Sequence, residues 1–157
     1  MNIRFIEKKD NFLVKELIQT SLEEVGLAIP GTAYFDPHID TLYDYYATNK
    51  NANYWVIEKN HKIIGGVGIA PFSSDHKICE LQKIYVASDF RGLGLSNTLM
   101  NTALEYASNY YEQCYLETHS SLEAACRLYE KYDFRLLDKP IDGSEHSAMD
   151  AWYVKDL

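Results

Sequence analysis

The sequence predicts a mixed α/β fold, with about seven strands in a mixed central sheet, about four helices, and one domain over residues 1–157. Three observations lead there. Apolar residues recur with period two in some segments and near 3.6 in others. The runs Tyr54–Glu58 and Ile63–Ala70 flank a polar turn, Lys59-Asn60-His61-Lys62, and read as a hairpin. A strand–helix–strand passage from Gln82 to Thr118 implies a parallel pair beside it.

In chain order, Asn2–Glu7 alternates as a first strand. Asp10 is a candidate N-cap for a helix carrying Leu13, Leu17, Ile18, Ser21, Leu22 and Val25 on one face, closed by Gly26. A loop with two prolines follows, then a short helix over Ile39–Ala47. Gly65, Gly66 and Gly68 inside the second hairpin strand predict a bulge or a close approach on that face. Ile78–Val86 is the next strand, antiparallel to it. Leu95, Leu99, Ala103 and Ala107 mark an amphipathic helix to about Asn109, and Gln113–Thr118 the strand after it. Leu122, Ala125, Cys126 and Tyr129 share a helix face. Asp133–Leu137 and Ala148–Val154 are the final strands, joined by the polar loop Lys139–Ser147.

Composition narrows the function. With 15 basic and 23 acidic residues the formal charge is −8, which argues against nucleic-acid binding and suits a cationic small molecule. The longest apolar runs are too short to cross a membrane, and no secretory signal opens the chain, so a cytoplasmic protein is expected. Cys79, Cys114 and Cys126 are odd in number and widely spaced, which predicts buried free thiols; a nucleophilic Cys126 is the alternative. No metal-ligand spacing is present, and no metal is expected.

The stretch Gln82–Leu99, QKIYVASDFRGLGLSNTL, carries the strongest functional signal. A strand leads into a loop with Arg91, Gly92 and Gly94, and a helix begins at once. Glycines let backbone N–H groups approach a ligand, and the helix start favours an anion. The loop is no P-loop, because Leu95-Ser96 stands where Lys-Ser/Thr is needed. A dinucleotide loop would lack its third glycine at Asn97, although Glu117 could serve as its acidic ribose ligand; the hairpin strands before the loop oppose that reading.

The third reading is a coenzyme A pyrophosphate loop. Arg91-Gly92-Leu93-Gly94-Leu95-Ser96 resembles the Gln/Arg-x-x-Gly-x-Gly/Ala motif of the GNAT N-acetyltransferase superfamily, with Ser96 in place of the last small residue. Cys79–Val86 (CELQKIYV) resembles that family's fourth strand. Leu128–Phe134 (LYEKYDF) resembles its helix end, with Asp133 where glycine is usual. The order of elements agrees as well. Leu122 occupies a position where many members carry Asn.

The resemblance implies a GNAT-like N-acetyltransferase using acetyl-CoA, transferring its acetyl group directly to a primary amine of a small molecule. Tyr129 would be the proton donor to the leaving thiolate, and Glu80 the base, directly or through water. A core aromatic and a carboxylate paired with Lys77 or Lys83 are their respective structural alternatives. Ile84, Tyr85 and Val86 would hold the pantetheine arm, and Arg91, Gly92, Leu93, Gly94, Leu95 and Ser96 the pyrophosphate. His119 and His146 are candidate acceptor-site residues, with solvent-facing positions as the alternative. The aromatic group Tyr34, Phe35, Tyr43, Tyr45 and Tyr46 is a candidate acceptor wall. A homodimer fits the resemblance. A non-catalytic acyl-CoA sensor on the same fold, and an enzyme acting on a protein N-terminus or lysine, are the alternative functions.

Overall fold

The computed structural model describes residues 1–157. Four strands come first in sheet order: β1 (Asn2–Phe5), β2 (Asn53–Lys59), β3 (Lys62–Pro71) and β4 (Ile78–Val86). They form an antiparallel series. β5 (Gln113–Thr118) runs parallel to β4, and β7 (Ala151–Asp156) pairs with both β5 and β6 (Arg135–Leu137). The seven-stranded order is β1-β2-β3-β4-β5-β7-β6. Because β1 to β4 are all antiparallel, the doubly wound dinucleotide arrangement does not apply. No helix is long and apolar enough to cross a membrane.

Four α-helices cover the sheet: α1 (Asn11–Glu24), α2 (Leu42–Thr48), α3 (Leu95–Ser108) and α4 (Glu123–Lys131). The alternation of β2 divides the core. Tyr54 and Val56 pack with Val14, Ile18 and Leu22 of α1 and Leu42 and Tyr46 of α2. Trp55 and Ile57 face the other way and join Leu99, Met100 and Ala103 of α3. Cys79 and Cys114 are free and buried, as read from their apolar settings, whereas Cys126 is only half-buried.

Four details of the sequence reading shift. Asp10 stands at the N-cap position of α1 but makes no side-chain cap bond there. Its carboxylate instead accepts from Arg4 at 2.8 and 3.1 Å and from the Glu7 N–H at 2.7 Å, closing a 3-10 turn ahead of the helix. Within α1, Val14 is buried and Val25 exposed, the reverse of the emphasis their spacing suggested. The second helix starts at Leu42 because residues 36–41 form successive turns, with the Ile39 N–H on Asp36 O and the Thr41 N–H on His38 O. The last strand starts at Ala151. The residues before it belong to a crossing loop, tied by the Ala148 N–H to Gly31 O at 3.1 Å and the Asp150 N–H to Thr118 O at 3.2 Å.

Two irregularities of β4 position the site. Opposite Val67 the strand holds two residues, Lys83 and Ile84, because the register jumps from Gly66↔Tyr85 to Gly68↔Gln82. Lys83 has φ of 51°, the left-handed conformation of a bulge, and its carbonyl accepts from the Tyr54 hydroxyl at 2.9 Å. On its other side β4 pairs with β5 only over Ile78–Glu80. Beyond Glu80 the two strands part, and the edge of β4 from Leu81 to Val86 faces a cleft.

Candidate active site

The cleft between β4 and β5 opens into a cavity of about 580 Å³. Its floor is β4 from Glu80 to Val86, and its walls include Leu22 of α1 and Leu128 and Tyr129 of α4. Arg91 and Ser96 line its far end. Gly92 and Gly94 hold φ of 80° and 79°, and a Cβ at either would point into open space. No protein atom crowds a Cβ at Gly92 or Gly94, so these glycines serve the backbone turn and leave the loop's N–H groups open to approach. The N–H groups of Gly92, Leu93 and Gly94 donate to no backbone carbonyl. Those of Leu95, Ser96 and Asn97 open α3, where no intrahelical acceptor exists. Arg91 is held beside them by its Nε donating to Val86 O at 3.0 Å and by Glu24 at 3.1 Å. Half of its side chain stays exposed.

Glu80 lies where this cavity meets a second one of about 180 Å³. The smaller cavity is lined by Asp36, His38, Tyr45, Phe72 and Glu145, and the two share Glu80, Gln82, Lys83 and His146. Burial pushes the Glu80 carboxyl up, and the Gln82 hydrogen bond holds it partly down, so it ionises near 7. Gln82 is itself fixed: Nε2 donates to Glu80 Oε1 at 2.7 Å while Oε1 accepts from the Tyr46 hydroxyl at 2.6 Å. Glu80 forms no ion pair with Lys77 or Lys83. Lys83, 8% exposed, pairs with Asp36 at 2.7 Å.

Two loops close over Glu80. His146, from the loop before β7, donates from Nε2 to Asp36 Oδ1 at 2.8 Å, or shares that proton with it. Burial opposes charge on both groups. Their mutual bond outweighs it, raising the His146 imidazole above its ordinary value and, with Lys83, bringing Asp36 down to about 2. His146 Nδ1 faces Glu117 Oε1 at 3.7 Å. Glu117 does not face the glycine loop, as a ribose ligand would. Its other oxygen accepts from the Tyr115 hydroxyl at 3.1 Å and from Ser144.

Tyr129 is 6% exposed and lines the larger cavity; its hydroxyl has no hydrogen-bond partner within the protein. Burial holds that hydroxyl in its protonated form well above the ordinary phenol value. Its ring packs against Phe134 and Tyr153, so the core role and a cavity-facing hydroxyl coexist. His119 lies elsewhere, bonded to Ser121 and near Asp150. Of the aromatic group only Tyr45 lines the smaller cavity, stacked on His38. Tyr46 supports it through Gln82, Tyr34 bonds Glu23, and Phe35 is exposed.

Gln82, Asp36 and Lys83 were not singled out as site residues by the sequence. Gln82 was reachable, being two residues from Glu80 on one strand and so on one face. Asp36 carries no such local signal, because its partners are more than forty positions away.

A cavity with an anion cradle at one end, an unpaired strand edge along its floor and a buried carboxylate at the other suits an extended acyl thioester with an anionic tail. That combination defines the class of acyl-CoA N-acyltransferases. A model of the acetyltransferase (GNAT) family matches residues 15–134. The uncharacterised N-acetyltransferase YjgM of Escherichia coli K12 is 35% identical over 158 residues, spanning 99% of this chain and 94% of its own. An acetyltransferase of GNAT family from Staphylococcus aureus Mu50 superposes with a TM-score of 0.84 at 18% identity, covering 99% of this chain and 98% of its own. PaiA N-acetyltransferase from Thermoplasma acidophilum, solved in complex with coenzyme A, does so with a TM-score of 0.75 at 18% identity, covering 99% and 98%. The chain belongs to the acetyltransferase (GNAT) family.

Proposed function

We propose that the protein transfers the acetyl group of acetyl-CoA directly to a primary amine of a small molecule. The observation that carries this reading is the meeting of two cavities at Glu80, one with an anion cradle and one lined by polar and aromatic side chains. The N–H groups from Gly92 to Ser96, with Arg91, hold the pyrophosphate. The open edge of β4 at Ile84, Tyr85 and Val86 holds the pantetheine arm as an added strand would.

Acetyl-CoA supplies an activated acetyl carbon and a thiolate leaving group. Glu80, ionised near 7, takes a proton from the acceptor's ammonium, directly or through one water, and frees the nitrogen lone pair for attack. Gln82 and Tyr46 keep the carboxylate oriented. Tyr129 stays protonated and gives its hydroxyl proton to the departing sulfur. The C–N bond forms as the C–S bond breaks, the nitrogen's second proton passes through solvent to restore the Tyr129 hydroxyl, and no acyl-protein species is required. Asp36, Glu80 and Glu145 line the smaller cavity and Glu117 the larger one, with Lys83 spent on Asp36, so a cationic acceptor is favoured over an anionic one.

The test is a screen of small primary amines with acetyl-CoA, reading free thiol. Thiol release that depends on the amine supports the reading. Release at the same rate with no amine, or from no amine in a broad set, contradicts it.

A further inference from the structure

Glu117 Oε1 is the single buried side-chain oxygen or nitrogen in the molecule with no hydrogen-bond partner, on a side chain only 1% exposed. Leaving a buried carboxylate oxygen unpaired is costly, so its surroundings call for a cation. It faces His146 Nδ1 at 3.7 Å. It also lies in a trio with Glu80 and His146 whose ligating atoms are all within 4.8 Å of one another. Lone-pair donors from β4, β5 and the loop before β7 therefore converge on one point, which no sequence spacing reveals.

We propose that this trio binds a divalent transition ion of the zinc type, in competition with the acceptor amine. Each ligand already has an orienting partner. Asp36 accepts a hydrogen bond from the Nε2–H of His146, which leaves Nδ1 as the nitrogen that can offer a lone pair to a metal. Tyr115 and Ser144 hold the other oxygen of Glu117, and Gln82 holds Glu80. Such outer contacts fix imidazole and carboxylate ligands in metal sites. Imidazole with two carboxylates suits zinc better than calcium or magnesium, which prefer six or more oxygens or a shell of waters. Zinc–ligand bonds of about 2.0–2.2 Å need donors roughly 3.4 Å apart. His146 Nδ1 and Glu117 Oε1, 3.7 Å apart, stand close to that, and a Glu80 carboxylate oxygen lies within 4.8 Å of both. An ion there occupies Glu80 and the space of the incoming nitrogen, so it inhibits transfer; this last consequence rests on the role proposed for Glu80.

The test is calorimetric titration of the metal-stripped full-length protein with zinc chloride, without coenzyme. One ion per chain is expected, bound at least tenfold more weakly by Glu117→Gln and by His146→Asn, and equally well by His119→Asn. Cobalt(II) titrated into the wild-type protein, which does not depend on any variant folding, should give the intense visible bands of a four-coordinate site. Absence of saturable one-to-one binding, or binding unchanged in Glu117→Gln, overturns the proposal. In the acetylation assay zinc should compete with the amine and not with acetyl-CoA. One-to-one binding lost in both variants, but without inhibition, leaves the metal site standing and overturns the assignment of Glu80 instead.

Discussion

A carboxylate that ionises near 7 instead of 4.5 is useful to a base and costly to a fold. Its folded value is the raised one, so its contribution is intact below about 4.5 and is lost as pH rises through about 7. Glu80→Gln should therefore leave the melting temperature unchanged near pH 4 and stabilise the protein at pH 8, by about 1–3 kcal/mol. Equal stability of the two proteins at pH 8 would show that the carboxylate is not buried as described. Tyr129→Phe should fold normally and lose well over tenfold in kcat, within the roughly 10²–10⁴ that proton transfer contributes. Unchanged turnover would remove its role as donor. Both residues were visible in the sequence because each sits in a short local pattern. Asp36 was not placed and Glu117 was read only as a ribose ligand, since what makes them matter is the loop that lowers His146 onto them.

The bulge of β4 depends on side chains that only the glycines of β3 admit. A Cβ on Gly68 would lie 2.8 Å from Tyr46 Cζ and 2.8 Å from Tyr54 Cδ2, closer than atoms pack. Tyr46 is buried and bonded to Gln82, so it cannot move without releasing the partner of Glu80. Gly68→Ala should cost about 1–3 kcal/mol in stability, measured by denaturant unfolding, and lower kcat with it. The glycine-rich strand thus predicted a close approach but not what approaches. Gly94→Ala acts differently: at φ of 79° a side chain is strained by roughly 1–2 kcal/mol and would project toward the ligand, so binding of CoA should weaken in calorimetry. The bounds of β4 and β5 were legible from their apolar runs. The parting of those strands beyond Glu80 was not, nor was the bulge at Lys83, whose identity carries no bulge signal. Asp133 is a converse case. Its φ of 67° is the left-handed conformation that favours glycine, and the short polar side chain tolerates it.

At the scale of the molecule, one sheet carries two cores and opens between two of its central strands, so the proposed cofactor cradle and the proposed acceptor cavity meet around Glu80. The chain as a whole carries a formal charge of −8. For a cationic amine, kcat/KM should fall as ionic strength rises, through weaker attraction and not through kcat. An uncharged amine should show no such trend. The most direct test of the whole account is the pH dependence of kcat/KM for an amine acceptor in the wild type and in Glu80→Gln. The wild type should lose activity below an apparent pKa of about 7, and the variant should be slow with that limb missing. An acidic limb that persists unchanged in Glu80→Gln would contradict it.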